Sequence, residues 1–203
     1  MGHSKTDKAE SHERIVKIAA EKFREAGIDG IGVADLMKEA GLTHGGFYRH
    51  FESRDELVAE AVESALAQGA RRLGRVVERS GERGEGAFAA LVDAYLNKQH
   101  VDRRGTGCAL VALANDVVRS GSRTRAAYTR QVESYFGMFA DQLQALGPGA
   151  RRRAITVLSA LVGALALARA VDDEGLSEEV LESVAAEIKA LGAEGGFKPG
   201  EPA

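Results

Sequence analysis

Between Thr43 and Arg54 the chain reads Thr-His-Gly-Gly-Phe-Tyr-Arg-His-Phe-Glu-Ser-Arg, a run of hydrogen-bond donors, cations and aromatic rings around two adjacent glycines. Glycine inside a helix costs about 1 kcal/mol relative to alanine, so Gly45 and Gly46 want a reason. One reason is close approach, because a backbone without side chains can come right up to a phosphate or a base pair. The alternative is that a short, frayed helix merely tolerates them. Tyr48 and Arg49 suit phosphate contact, Arg49 or His44 can reach a base edge, and Arg54 stands at a helix start, where a phosphate is also favoured. His44, Arg49, His50 and Arg54 face only Glu52 in this stretch, a small basic face of the kind that phosphates require. The chemistry in view is recognition of a polyanion.

Other chemistries find little support. His3, His12, His44, His50 and His100 show no zinc spacing, and no Cys/His cluster exists, so no metal and no cofactor is expected. The glycines from Gly81 to Gly86 lack the Lys-Ser/Thr of a phosphate loop and follow no strand. No nucleophile, base and orienting group come together, so no catalytic residue is assigned and an enzyme is not expected.

The elements that must position Thr43 to Arg54 are helices. Ile15, Ile18, Ala19, Phe23 and Ala26 share one face of a first helix that stops at Gly27, since glycine accepts a left-handed conformation cheaply. A short second helix runs from about Val33 to Ala40 and ends at Gly41. Thr43 is then expected to cap a third, His44 to about His50, with its hydroxyl. Phe47 and Phe51, four residues apart, anchor that helix to Ile18, Phe23 and Leu36 and leave His44, Gly45, Tyr48 and Arg49 outward. Two short helices across a glycine turn, the second with a polar exposed edge, form a helix-turn-helix, whose second helix enters the major groove. Ser53 and Glu56 make a capping box for a fourth helix with Leu57, Val58, Ala61, Val62, Ala65 and Leu66 as its buried stripe, linking reader to body.

Helical spacing continues to the C-terminus, and strict alternation is absent, so the chain reads as all-α, with about nine helices. Gly81 to Gly86 reads as a loop, followed by a helix from Ala87 to Gln99, a loop from Val101 to Gly107, and an apolar helix opening at Thr106 or Gly107. Tyr128, Val132, Tyr135, Phe139, Leu143 and Leu146 define an amphipathic helix ending at Gly147-Pro148. The next, about Ala150 to Val171, has Ile155, Leu158, Val162 and Leu165 on one face and Val157, Leu161, Ala164 and Ala168 on another, and two apolar faces need two partners. The last, Ser177 to about Leu191, offers Leu181, Val184, Ile188 and Leu191, before a Gly-rich tail at 193–203 that is expected to be mobile.

Phe88, Tyr95, Tyr128, Tyr135, Phe136 and Phe139, with Cys108, are candidates to line a cavity for a small organic effector, because apolar walls with a few hydroxyls suit such ligands. An ordinary core uses the same residues. Cys108 is the single cysteine; its place near a helix start downstream of Arg103 and Arg104 suits a redox or electrophile sensor, while packing as a small hydrophobe is the other reading. Arg151 to Arg153 read as a solvated surface run.

The pattern TxxxFYxHF followed by a Ser-Arg helix start resembles the tetracycline-repressor (TetR/AcrR) family closely over residues 10 to 60, and the rest of the chain agrees in length, helix count and two apolar C-terminal helices. The resemblance implies a three-helix DNA reader at 10–54, a ligand-binding and dimerising body at 55–192, and pairing of the last two helices across a dimer axis. It puts Thr43, His44, Gly45, Gly46, Tyr48, Arg49, His50 and Arg54 on DNA-contact positions, and Ile155, Leu158, Val162, Leu165, Leu181, Val184 and Ile188 at the dimer interface. Gly32 departs from the pattern, which usually has Ser or Thr there.

The function implied is a regulator, a repressor released from palindromic double-stranded operator DNA by a small-molecule effector, acting as a homodimer. The alternatives are a thiol sensor working through Cys108 and a helical binding protein without DNA binding. The bulk numbers fit a globular protein of 203 residues with 44% hydrophobic and 28% charged residues. No stretch is expected to span a bilayer: the best, Ala154 to Ala168, is about 15 residues and ends at Arg169. With a polar N-terminus and one cysteine, a cytoplasmic location is expected. The net charge of −3 gives no general attraction to nucleic acid, and residues 5–54 carry nine Lys/Arg against nine Asp/Glu, so affinity must come from local placement.

Overall fold

A computed structural model describes residues 5–83, 86–144 and 147–193, all of it helix, turn and loop with no strand among those residues. The order is α1 (Lys5–Ala26), a 3₁₀ turn (Ile28–Gly30), α2 (Val33–Glu39), a 3₁₀ segment (His44–Arg49), α3 (Arg54–Arg83), α4 (Ala87–Tyr95), α5 (Lys98–Asp102), α6 (Ala109–Arg119), α7 (Ser122–Leu143), α8 (Ala150–Ala170) and α9 (Glu174–Ala193). The chain divides into two compact units, residues 1–69 with 103–131, and residues 70–102 with 132–203. The long helix α3 therefore contributes to both.

In the first unit α1 packs against α2 and α6. Its core holds Ile15, Ala19 and Phe23 of α1, Leu36 and Met37 of α2, Phe47, Phe51, and the Leu57, Val58, Ala61, Val62, Ala65 and Leu66 stripe of α3. Ala26 and Ile18, expected on the buried face of α1, are exposed and half-buried respectively. Glycine decides both helix ends. Gly27 has φ +81° and Gly41 φ +71°. At Gly41 the Leu42 N–H donates to the Met37 carbonyl (2.8 Å) and the Gly41 N–H to that of Lys38 (3.0 Å), the Schellman pair that satisfies the last carbonyls of α2. Arg24, 5% exposed, donates to the Gly105 carbonyl at 2.5 Å and to Gln68 Oε1 at 3.0 Å, holding the loop before α6. A Cβ at Gly105 would stand 2.5 Å from Glu25.

Several boundaries differ from expectation. Gly81 lies inside α3, since a single glycine costs a helix only about 1 kcal/mol and its neighbours are helix formers; residues 84 and 85 lie outside the described set. The expected helix from Ala87 to Gln99 breaks after Tyr95, because the Asn97 amide donates back to the Asp93 and Ala94 carbonyls while its oxygen accepts the His100 N–H at 2.9 Å. Asn97 thus closes one helix and opens the next, so Val101 and Asp102 are helical. Cys108 is the N-cap residue of α6, so the helix opens at Ala109, later than the start expected at Thr106 or Gly107. Leu146 and the tail from residue 194 onward lie outside the described residues.

In the second unit α8 and α9 pack on each other most extensively, with α9 also against α4. By length and composition α8 is apolar enough to cross a membrane, since the helix reaches beyond the 15 residues read from sequence. One face of it, Val157, Leu158, Leu161, Ala164, Leu165 and Ala168, is nevertheless buried within the protein. Arg151 and Arg152 at its start are exposed, as expected of a surface run; Arg151 pairs with Glu133 at 2.9 Å, and Arg153 donates to the Gly147 and Pro148 carbonyls.

Candidate nucleic-acid interface

The segment His44–Arg49 is a 3₁₀-helix, not the α-helix expected, and Thr43 makes no side-chain cap. Its turns close by i→i−3 bonds, Gly46 N–H to the Thr43 carbonyl (2.9 Å) and His50 N–H to that of Phe47 (2.9 Å). Two glycines in six residues weaken the α preference, and a run this short is where 3₁₀ geometry is common. The Phe51 N–H bonds the Phe47 carbonyl at 3.1 Å, so the two rings still share a face, stacked 5.4 Å apart and each 2% exposed. Ser53 caps α3 as read: its Oγ accepts the Glu56 N–H at 3.2 Å, while Glu56 Oε2 accepts the Glu52 N–H at 2.6 Å.

These anchors turn Thr43, His44, Gly45, Tyr48 and Arg49 outward; Tyr48 is 75% exposed. Gly45 has no left-handed φ, and a Cβ placed on it would meet nothing within 4 Å. The protein's own packing therefore does not require glycine there. Gly46 is half-buried, with Thr43 Oγ1 and Met37 Cε at ordinary contact distance from such a Cβ. His50 is half-buried beside His12, with ring centroids 6.3 Å apart, and its Nδ1 is buried without a hydrogen-bond partner. Burial first, then the charges of His12, Lys8, Arg49 and Arg14, hold its pKa below the ordinary histidine value.

Arg54 behaves differently. Its guanidinium donates to the Ile28 carbonyl at 2.6 Å and pairs with Asp29 at 3.2 Å, bracing the turn between α1 and α2, with 39% of the side chain still exposed. Asp116 of α6 holds the same turn by accepting the Ile28 N–H at 3.2 Å. Gly32, the N-cap of α2, provides no side-chain bond.

Residues 15–61 match the model of the bacterial regulatory proteins of the tetR family. The match covers the N-terminal module alone. The HTH-type transcriptional regulators YvdT and YfiR of Bacillus subtilis are 34% identical over 55 residues and 28% identical over 95 residues. Those alignments cover 27% and 47% of this chain and 28% and 43% of the relatives, so the chain matches less than half of their length. The fold extends further. The reduced form of Escherichia coli NemR superposes with a TM-score of 0.74 at 20% identity, over 89% of this chain and 96% of that one. A TetR transcriptional regulator from Chloroflexus aurantiacus gives 0.73 at 23% identity, over 91% and 96%.

The effector candidates divide between the two units. Cys108 and Tyr128 lie in the first, and Phe88, Tyr95, Tyr135 and Phe139 in the second. Cys108 is 5% exposed; the Tyr128 hydroxyl donates to the Leu110 carbonyl at 3.0 Å, and burial then the Cys108 thiol push its pKa up to about 12, so it remains a neutral donor. Tyr95 and Phe139 are buried, Tyr135 is 3% exposed and Phe88 half-buried. Of the seven dimer candidates, Leu158, Leu165, Leu181 and Ile188 are buried within the chain, Ile155 is 39% exposed, and Val162 and Val184 are half-buried. Sequence reading missed Lys8, Ser11 and Arg14, which the first turns of α1 bring beside the recognition segment. Their spacing of three residues, one helix face, was the available signal.

Proposed function

We propose that this protein is a ligand-responsive, DNA-binding transcriptional regulator, a cytoplasmic homodimer rather than an enzyme, released from near-palindromic operator DNA by a small organic effector. The observation that carries the reading is the outward face of the recognition segment: Tyr48 and Arg49 are exposed, as is Gly45, a glycine that the fold itself does not need. Thr43, His44, Gly45, Gly46, Tyr48, Arg49 and His50 are the contacts, with Arg54 bracing the reader and reaching a phosphate with its exposed edge. In a two-fold dimer, two such segments enter successive major grooves about 34 to 36 Å apart or somewhat more. The functional division follows 10–54 for reading and 55–192 for effector binding and pairing. Pairing uses the edge of α8 where Ile155 is exposed and Val162 half-buried, while Leu158 and Leu165 support it from inside.

The test is a gel shift of the full-length protein on fragments of the flanking intergenic DNA against scrambled duplexes at moderate salt. Arg49→Ala is expected to weaken binding and flatten the salt dependence by about 1 unit. Absence of any preferred fragment for a folded dimer sinks the proposal. The neutral balance of residues 5–54 favours one second reading, a helical small-molecule-binding protein without DNA binding, and that result would select it.

A further inference from the structure

A groove of about 350 Å³ opens between the first turns of α1 and the recognition segment, lined by Lys8 and Ser11 on one side and Thr43, Gly46, Arg49 and His50 on the other. Its charge differs from that of the chain. Lys8 and Arg49 stand at the groove with the carboxylate of Asp7 as the only acid in its lining, and Arg14 and His12 lie close enough to act on His50 electrostatically. Arg14 is fixed, donating to the Ala40 carbonyl at 3.1 Å and to Ser11 Oγ at 3.3 Å, so the Ser11 hydroxyl keeps its own hydrogen for a partner outside. Lys8 is exposed.

We propose that this groove seats the sugar-phosphate backbone of one DNA strand, with Lys8 and Ser11 as contacts that fix how the recognition segment enters the major groove. The inference rests on the DNA-reading proposal and adds a second wall to that surface. Charge complementarity and continuity argue for this occupant: Thr43 and Arg49 belong both to the groove and to the outward reading face. A cation on each wall gives a strand two points of attachment, and phosphate contacts of this kind set register without reading sequence.

The seat has a proton-linked consequence. His50 is opposed by Lys8, Arg14 and His12 from α1 and by Arg49 from its own segment. The carboxylates nearby are Asp7, in the groove, and Glu60 of α3, which is bonded to His12 at 2.7 Å. A phosphate placed among these cations favours the protonated ring. Binding then takes up a proton, and affinity falls as pH rises from the lowered pKa of the free ring toward the higher pKa that the phosphate gives it.

The experiment titrates the full-length protein against a fluorescent duplex selected by the protein from a random-sequence pool, and against a scrambled duplex, over a range of salt and pH. Lys8→Gln and Ser11→Ala should weaken binding to both duplexes alike, and Lys8→Gln should flatten the salt slope by about 1 unit. His50→Gln should remove most of the pH dependence. Thermal melts confirm that the variants are folded. If Lys8→Gln and Ser11→Ala leave affinity and slope unchanged while Arg49→Ala weakens binding, the seat is wrong and the reader stands. If Arg49→Ala also changes nothing, the DNA reading falls with it.

Discussion

His100 offers the most quantitative test of how this fold treats a buried base. The ring is 4% exposed, its Nδ1 lies 2.6 Å from the Tyr95 carbonyl and must therefore carry the hydrogen, and its Nε2 is buried without a partner. Burial lowers its pKa from 6.5 to about 4, outweighing the Tyr95 hydrogen bond that favours the charged ring, with the charges of Arg72 and Arg169 lowering it further. Above pH 6.5 the ring is neutral in folded and unfolded chains alike, and the site contributes nothing to pH dependence. Below that, the unfolded chain takes up a proton that the folded one refuses, so stability is lost as pH falls and levels off once the folded ring also titrates. At about 1.4 kcal/mol per pKa unit, the loss is about 2 kcal/mol by pH 5 and about 3 kcal/mol by pH 4. Urea unfolding at fixed protein concentration, at pH 7 and pH 4, measures it against His100→Asn. Each protein is compared with itself, so any constant cost of the substitution cancels, as do the carboxylates common to both. The wild type should lose about 3 kcal/mol more than the variant. Equal losses would refute the neutral, buried ring.

Phe51→Ala empties a fully buried site beside Phe47 and should cost about 3–5 kcal/mol in urea unfolding, with DNA binding lost as the reader loosens. Gly45→Ala should keep or raise stability by about 0.5–1 kcal/mol, because the new methyl meets nothing. Affinity for selected DNA should nevertheless drop, and a variant that binds as well as wild type would remove the close-approach argument. Arg54→Ala frees the Ile28 carbonyl and Asp29 and should cost on the order of 1 kcal/mol in chemical unfolding. An unchanged midpoint would show that the brace carries no energy. Cys108, 5% exposed, should react with Ellman's reagent far more slowly in the native protein than in urea. Equal rates, together with loss of oxidant-driven DNA release in Cys108→Ser, would move the reading to a thiol sensor.

What could be read from the sequence alone was whatever depends on near neighbours along the chain. The Phe47/Phe51 pair, the glycine ends at Gly27 and Gly41, the Ser53–Glu56 cap and the apolar stripe of α3 each involve residues within about one or two turns, where spacing fixes which side chains and amides meet. So was the all-α class, because helical periodicity is a local property. Tertiary packing decided the rest. Nothing in the spacing says that Arg54 turns to Ile28, 26 residues earlier, or that Asp116 reaches the same turn from 88 residues away. Leu158 and Leu165 have the same pattern whether their face meets α9 of the same chain or a second copy, and only the fold shows them already buried. Lys8 and Ser11 became candidates for the same reason: their chemistry is ordinary until α1 brings them alongside Arg49 and His50, because long-range proximity is written in the packing of helices and not in the order of residues.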